Sequence, residues 1–93
     1  MTWVYILRCS DHSLYVGNTE NLDARLRAHN EGRGGSYTAR RRPLAVAYHE
    51  ELPSIEDARR REHQLKRWSR LKKEALVAGA GLELRRLSRS RNR

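Results

Sequence analysis

The chain has 93 residues and a mass of 10.9 kDa, room for one domain and one modest core. Hydrophobic residues make up 38% and charged residues 33%. Leu, Val, Ile, Trp and Tyr still recur often enough to exclude wholesale disorder. Twenty Lys and Arg against eleven Asp and Glu leave a formal charge of +9, which points to a polyanion, nucleic acid first and an acidic membrane surface second.

Trp3 to Leu7 is a β-branched and aromatic run with apolar residues on both faces, the pattern of a central strand. Ser10 to Ser13 is turn chemistry, and Leu14-Tyr15-Val16 resumes the strand until Gly17, so the two runs predict a hairpin. A helix follows: Asn21 is a suitable N-cap, Asp23 sits in its first turn, Leu22, Leu26 and His29 share a face, and Asn30 with Gly32 stop it. Gly34-Gly35-Ser36 reads as a flexible loop leading to Tyr37, Thr38 and the run Arg40-Arg41-Arg42, closed by Pro43. Leu44, Val46 and Tyr48 alternate with Ala45, Ala47 and His49 as a third strand. Ser54 with Asp57 resembles a capping box that opens a helix to about Trp68. Ser69 caps another that reaches Ala78, and Gly79 and Gly81 end it. The expectation is an α/β (α+β) domain over residues 1–80, a small three-stranded mixed or antiparallel sheet flanked by helices in the order β-β-α-β-α-α. A basic tail, 81–93, is expected to be disordered or a short helix that attracts phosphate.

A lone Cys9 excludes a disulfide framework and a cysteine-based zinc site, and reads as a packing residue. No apolar run is long enough to span a bilayer, and Trp3–Leu7 lacks the leader and cleavage pattern of a signal peptide. A soluble cytoplasmic monomer without a membrane partner is expected.

Helical spacing puts Ala58, Glu62 and Leu65 on one face, so Glu62 lies on or beside an apolar stripe among Arg59, Arg60, Arg61, Lys66 and Arg67. It is either a salt-bridge partner or an oxygen ligand for a hard divalent cation. Arg25 and His29, at i and i+4, are either a surface pair or a phosphate clamp in which a guanidinium holds two oxygens and an imidazole adds a donor or moves a proton. Tyr5 and Tyr15 lie on the two hairpin strands. A two-residue loop at Asp11-His12 would pair Tyr15 with Arg8 and turn Tyr5 away. The tyrosines share a face only if the loop is odd-numbered or a bulge intervenes, and such an irregularity is predicted if they form a site.

Taken in order, these residues resemble the GIY-YIG nuclease family, and most of all its small stand-alone bacterial, YhbQ-like branch. The likeness runs through Val4-Tyr5-Ile6-Leu7-Arg8, Leu14-Tyr15-Val16-Gly17-Asn18-Thr19, Leu22-x-x-Arg25-Leu26-x-x-His29-Asn30-x-Gly32, Tyr37-Thr38, Arg42-Pro43, and Arg61-Glu62 followed by Lys66, Arg70 and Lys72. It covers about residues 2 to 78. The resemblance implies a sheet packed by helices and a metal-assisted phosphodiesterase site built from Tyr5, Tyr15, Arg25, His29 and Glu62. In the implied reaction a water attacks the phosphorus in line and Tyr5 takes its proton, with Tyr15 in support. Arg25 and His29 neutralise the phosphorane-like charge, and Mg²⁺ or Mn²⁺ on Glu62 stabilises the leaving 3′ oxygen. Nearby cations are expected to lower the pKa of the basic tyrosine. Gly17 is expected to let the phosphate backbone approach closely.

The chain departs from the family pattern in three places. Trp3-Val4 replaces Gly-Ile. Asn18 stands where an apolar residue usually follows the glycine, and is expected to disturb packing at the strand end. No asparagine occurs between Asn30 and Asn92, although many family members carry one in the C-terminal helical part.

Between Arg59 and Lys73 there are eight basic residues and one glutamate. Tyr37, Thr38, Arg40, Arg41 and Arg42 form a second basic patch, with Tyr37 placed either to stack on a base or to pack on the adjacent strand. With Lys66, Arg67, Arg70, Lys72 and Lys73 these are the expected backbone contacts to nucleic acid, DNA favoured over RNA. An endonuclease is the leading reading, and a binding module with weak or no catalysis the alternative. Among repair, recombination and defence against foreign DNA the residues do not choose.

Overall fold

A computed structural model describes residues 1–79. Three strands, β1 (Thr2–Arg8), β2 (Leu14–Thr19) and β3 (Ala45–Leu52), form one sheet in the order β2-β1-β3, with both pairings antiparallel. Helices α1 (Leu22–Asn30) and α2 (Ser36–Ala39) precede β3, and α3 (Ile55–Lys66) and α4 (residues 70–79) follow it. The expected antiparallel α+β sheet with flanking helices is present. The tail 81–93 lies outside the described residues.

β1 is central because both its faces are apolar, and each builds a separate core. Val4 and Ile6 pack with Val16, Ala58 and Leu65 beneath α3, joined by Trp68, Leu76 and Val77. Tyr5 and Leu7 pack with Cys9 and Leu44 on the other face, joined by Tyr15, Leu22 and Leu26. Cys9 is buried packing, as expected.

The hairpin loop is longer than a tight two-residue turn. Arg8 pairs with Leu14, so residues 9–13 form an odd-numbered loop. It is shaped by an Asp11 carboxylate that accepts from the Ser13 N–H and by His12 in the left-handed region, φ 71°. β3 carries its own irregularity. Leu7 pairs with Val46 but Ile6 with Tyr48, so Ala47 is an extra residue. The alternation read from the sequence puts Val46 and Tyr48 on one face. The bulge sends Val46 to the Tyr5 core and Tyr48 to the Val4 core instead. β3 also runs three residues beyond His49, to Leu52.

α1 begins where the Asn21 side chain accepts from the Ala24 N–H at 3.0 Å. Near its end Asn30 clasps the chain entering β3, donating to the Leu44 carbonyl at 3.1 Å and accepting from the Leu44 N–H at 2.8 Å. The segment expected as loop around Tyr37 is the short helix α2, entered through Gly35 at φ 117°, a conformation that favours glycine. Ser54 caps α3 through the Asp57 N–H, and Ser69 caps α4 through the Lys72 N–H. Arg8 grips Glu74 with two nitrogens, at 2.5 and 2.8 Å, and so ties α4 to the hairpin. Among the described residues no helix is long and apolar enough to cross a membrane.

Candidate active site

Loop parity decides which hairpin side chains meet. With five residues in the loop, Tyr5 lies opposite Gly17 and Leu7 opposite Tyr15, so Tyr5 and Tyr15 are diagonal neighbours on one face. The predicted irregularity exists, in the form of the odd loop. Gly17 is required by this arrangement, for a different reason from the one expected. A Cβ at position 17 would stand 2.5 Å from the Tyr5 hydroxyl oxygen and 2.6 Å from Cζ. The glycine makes room for the Tyr5 ring before any phosphate is considered.

α1 delivers His29 to the same face. The imidazole is 1% exposed, with Nε2 2.9 Å from the Tyr5 hydroxyl and Nδ1 2.8 Å from Thr38 Oγ1. Thr38 Oγ1 donates to the Gly35 carbonyl, so it is left to accept from Nδ1–H. The contact to Gly35 is long, at 3.4 Å, and it favours the tautomer in which Nδ1 carries the proton; in that tautomer Nε2 is the acceptor and the Tyr5 hydroxyl donates to it. The Tyr5 and Tyr15 rings meet His29 edge-on, with centroids 5.9 and 5.2 Å away. Gly34 is the second steric requirement, because a Cβ there would fall 2.0 Å from Nδ1.

Thr38 therefore does not serve as the phosphate contact expected of it. It is 0% exposed and its hydroxyl belongs to His29. Thr38→Val, close in shape but without the acceptor, should leave a buried N–H unpaired and cost about 1–3 kcal/mol. His29 should then shift toward the Nε2–H tautomer, visible in its ring ¹⁵N chemical shifts. Unchanged shifts would mean that Thr38 does not set the tautomer.

Burial dominates the electrostatics. It pushes the Tyr5 phenol well above the usual tyrosine range, and Tyr15 and Glu62 add to the rise while Arg25 opposes it. The expected lowering by cations is thus present in sign, through Arg25, and outweighed by desolvation. His29 is held below its ordinary value, by burial first and Arg25 second, which keeps it neutral. Arg25 itself is exposed and forms no ion pair among the described residues.

Glu62 approaches β2 from the opposite face. Gly17 turns toward the phenols, so its neighbour Asn18 turns toward α3. There the Asn18 Nδ2 donates to Glu62 Oε1, while Lys66 Nζ lies 2.6 Å from Oε2. Asn18 is thus a polar partner of Glu62, and not the packing fault expected at the strand end. The Glu62 side chain is only 17% exposed. Tyr5 still feels its charge, past the strand position that has no side chain.

Among the described residues no group of three His, Cys, Asp or Glu side chains gathers to hold a metal. One carboxylate with an adjacent amide does fit Mg²⁺ or Mn²⁺, which take hard oxygen donors and leave most positions to water and substrate phosphate. Lys66 is a weak competitor for the carboxylate. A half-exposed i,i+4 pair is worth about 0.3–0.5 kcal/mol, roughly a factor of two in affinity.

The remaining basic residues are more dispersed than their spacing in the chain implies. Lys66 is engaged by Glu62 instead of being free for phosphate. Arg70 binds the His12 carbonyl and Glu74, and Lys72 lies over the Trp68 ring at 4.4 Å. Arg67 lines an open groove of about 800 Å³ with Leu52, Pro53, Arg60 and Trp68, on the flank of α3 away from Glu62. Arg41 pairs with Asp11 and covers the Tyr37 ring at 3.7 Å. Tyr37 stacks on Tyr15, with centroids 6.0 Å apart, and so packs on the adjacent strand. Arg40 is exposed and Lys73 half-buried.

Sequence reasoning placed Tyr5, Tyr15 and His29 together and missed three features. These are the steric need for Gly34, the support of His29 by Thr38, and the contact of Asn18 with Glu62. Asn18 did leave a signal, as a polar residue two positions from the apolar Val16 on the same face of the strand.

Comparison with known proteins agrees with this fold. Residues 1–75 match the GIY-YIG catalytic domain. A UPF0213 protein of Staphylococcus haemolyticus is 44% identical over 75 residues, covering 81% of this chain and 92% of the relative. One from Natronomonas pharaonis is 43% identical over 76 residues, covering 82% and 89%. The solution NMR structure of a UPF0213 protein from Bacillus halodurans aligns with a TM-score of 0.55 at 43% identity, covering 84% of each chain. The chain belongs to the GIY-YIG nuclease family. Its relatives are small proteins of the UPF0213 group, which fits the YhbQ-like branch.

Proposed function

We propose that this chain is a divalent-metal-dependent endonuclease that hydrolyses phosphodiester bonds, with DNA favoured and single-stranded or structured substrates within its range. The observation that carries the reading is the convergence on β2. Tyr5, Tyr15 and His29 lie on one side of Gly17, Arg25 is near enough for its charge to act on Tyr5 and His29, and Glu62 reaches Asn18 from the other side. The space over Gly17 is taken by the Tyr5 ring, so a scissile phosphate is proposed to lie beside that strand position, within reach of the Tyr5 hydroxyl.

Tyr5 is the general base, and it works through His29. Free tyrosinate is scarce in so buried a site, but a neutral imidazole stands 2.9 Å from the hydroxyl as an acceptor. As Tyr5 takes a proton from the attacking water, its own proton passes to His29 Nε2, and no isolated tyrosinate is formed. Thr38 holds Nδ1–H and keeps Nε2 free to accept. Arg25, exposed and without a carboxylate partner among the described residues, neutralises the charge developing on the phosphate. Glu62, beside Asn18, would hold the cation, which supplies Lewis-acid stabilisation of the leaving oxygen. Lys72 and Lys73, with Arg40 and Arg70, are proposed to contact the phosphate backbone, a mode that gives salt-dependent and sequence-tolerant binding.

The test is cleavage of labelled single-stranded, duplex and branched DNA, and of RNA, with Mg²⁺, Mn²⁺ or EDTA at stated salt. Folded Glu62→Gln should lose metal-dependent cutting by about 10²-fold or more. Binding without cutting under every metal would leave a nucleic-acid-binding module with the nuclease fold.

A further inference from the structure

We propose that Asn18 is a positioning residue for Glu62, which it ties from the sheet to the helix. The proposal rests on the reading of Glu62 as the cation-holding carboxylate. Position 18 lies on an edge strand, on the face packed against α3, next to the buried Val16. An apolar side chain would suit that surface, and an amide there is costly unless its donors are met. The structure meets one of them with Glu62 Oε1. The nitrogen must be the contacting atom, because an amide oxygen against a carboxylate would repel it.

The two groups that hold Glu62 differ in kind. Lys66 comes from the same helix one turn on, and its side chain is 51% exposed. It moves with α3 and is screened by water. Asn18 comes from β2, one residue beyond the glycine that faces Tyr5. Its hydrogen bond is therefore the one that sets the position of the carboxylate relative to the phenol side of the site. The same amide carries Oδ1, which makes no hydrogen bond among the described residues and is a hard oxygen donor adjacent to the carboxylate.

The experiment is Mn²⁺ binding to the full chain without nucleic acid, followed by electron paramagnetic resonance, for wild type, Glu62→Gln, Asn18→Val, Asn18→Ala and Asn18→Gln. Thermal unfolding checks each variant. Glu62→Gln should abolish binding. Asn18→Val should weaken it about tenfold, the scale on which partners of metal ligands act. Asn18→Gln keeps an amide N–H donor for the carboxylate and should bind Mn²⁺ more tightly than Asn18→Val. A merely structural role would give no such rescue. If Asn18→Val binds within twofold of wild type while Glu62→Gln binds nothing, the proposal falls and the reading of Glu62 stands. If binding does not depend on Glu62, both fall. If Asn18→Val does not fold, Asn18→Ala decides: binding weakened about tenfold supports the proposal and binding within twofold of wild type overturns it.

Discussion

Gly17→Ala should destabilise the protein by about 2 kcal/mol, the range of core overpacking, and lower the melting temperature by roughly 8–16 °C for a domain of this size. The new Cβ would stand 2.5 Å from the Tyr5 hydroxyl oxygen and 2.6 Å from Cζ. Neither is the loose end of a flexible chain. The ring is 2% exposed, it packs on Leu7 and Leu44, and its hydroxyl is held by His29. Relief must come from shifting Tyr5 or spreading β1 from β2, and both moves break the 2.9 Å contact with Nε2. Cleavage should therefore fall beyond what the loss of folded protein explains. Tyr5→Phe/Gly17→Ala should recover part of the stability, because the closest atom is gone, and none of the activity. A melting temperature for Gly17→Ala within 2 °C of wild type, as an order-of-magnitude limit, would show that the ring is not confined as described.

Tyr5→Phe should retain the fold and reduce cleavage by about 10²–10⁴-fold, the usual contribution of a positioned acid or base. It should also cost about 1–3 kcal/mol, since His29 Nε2 remains buried without its donor. The pH dependence separates the relay from simple loss of a polar contact. The pKa of His29 is lowered on folding from its ordinary 6.5, by burial and then by Arg25. Its contribution to stability is then fully present above the unfolded value and is lost as the pH falls through the lower folded value. A protonated Nε2 cannot accept from Tyr5. Wild-type cleavage should thus fall on an acid limb that lies below pH 6.5, measured as kcat/KM against pH with the metal saturating. Arg25→Met removes a cation that depresses the His29 pKa, so the limb should move toward higher pH. A limb that stays in place would separate His29 from the catalytic step.

Much of the site could be read from the chain because its signals are local. The Asn21 cap and the Leu22, Leu26 and His29 spacing locate α1 and the inward face of His29. The two-sided apolar pattern of β1 makes it the central strand. Ser54 and the Ala58, Glu62 and Leu65 stripe locate α3 and turn Glu62 toward the sheet. What failed locally failed where a single residue changes parity. Ala47 is indistinguishable in the sequence from any other strand alanine, yet as a bulge it sends Tyr48 to the opposite core from Val46. Ser36–Ala39 reads as a loop because four residues carry no helical period, and it is held as a turn of helix by Thr38 on His29.

By itself, then, the sequence determined the three strands and the longer helices, the two-faced central strand, the family and the set of chemistry-bearing residues. Each of these depends on side-chain type and on spacing within one segment. Only the tertiary structure decided which groups share a proton, which face each carboxylate or amide occupies, and how far each pKa moves. Those outcomes depend on contacts between segments far apart in the chain. Tyr5 and His29 are 24 residues apart, and Asn18 and Glu62 are 44 apart. They also depend on burial, which no local pattern encodes. The charge on the surface shows the difference most plainly. The formal +9 is a property of the composition, but acidic partners on other elements take up Arg8, Arg41 and Arg61. Folding left Arg25 exposed, with its charge acting on Tyr5 and His29 and without an acidic partner among the described residues.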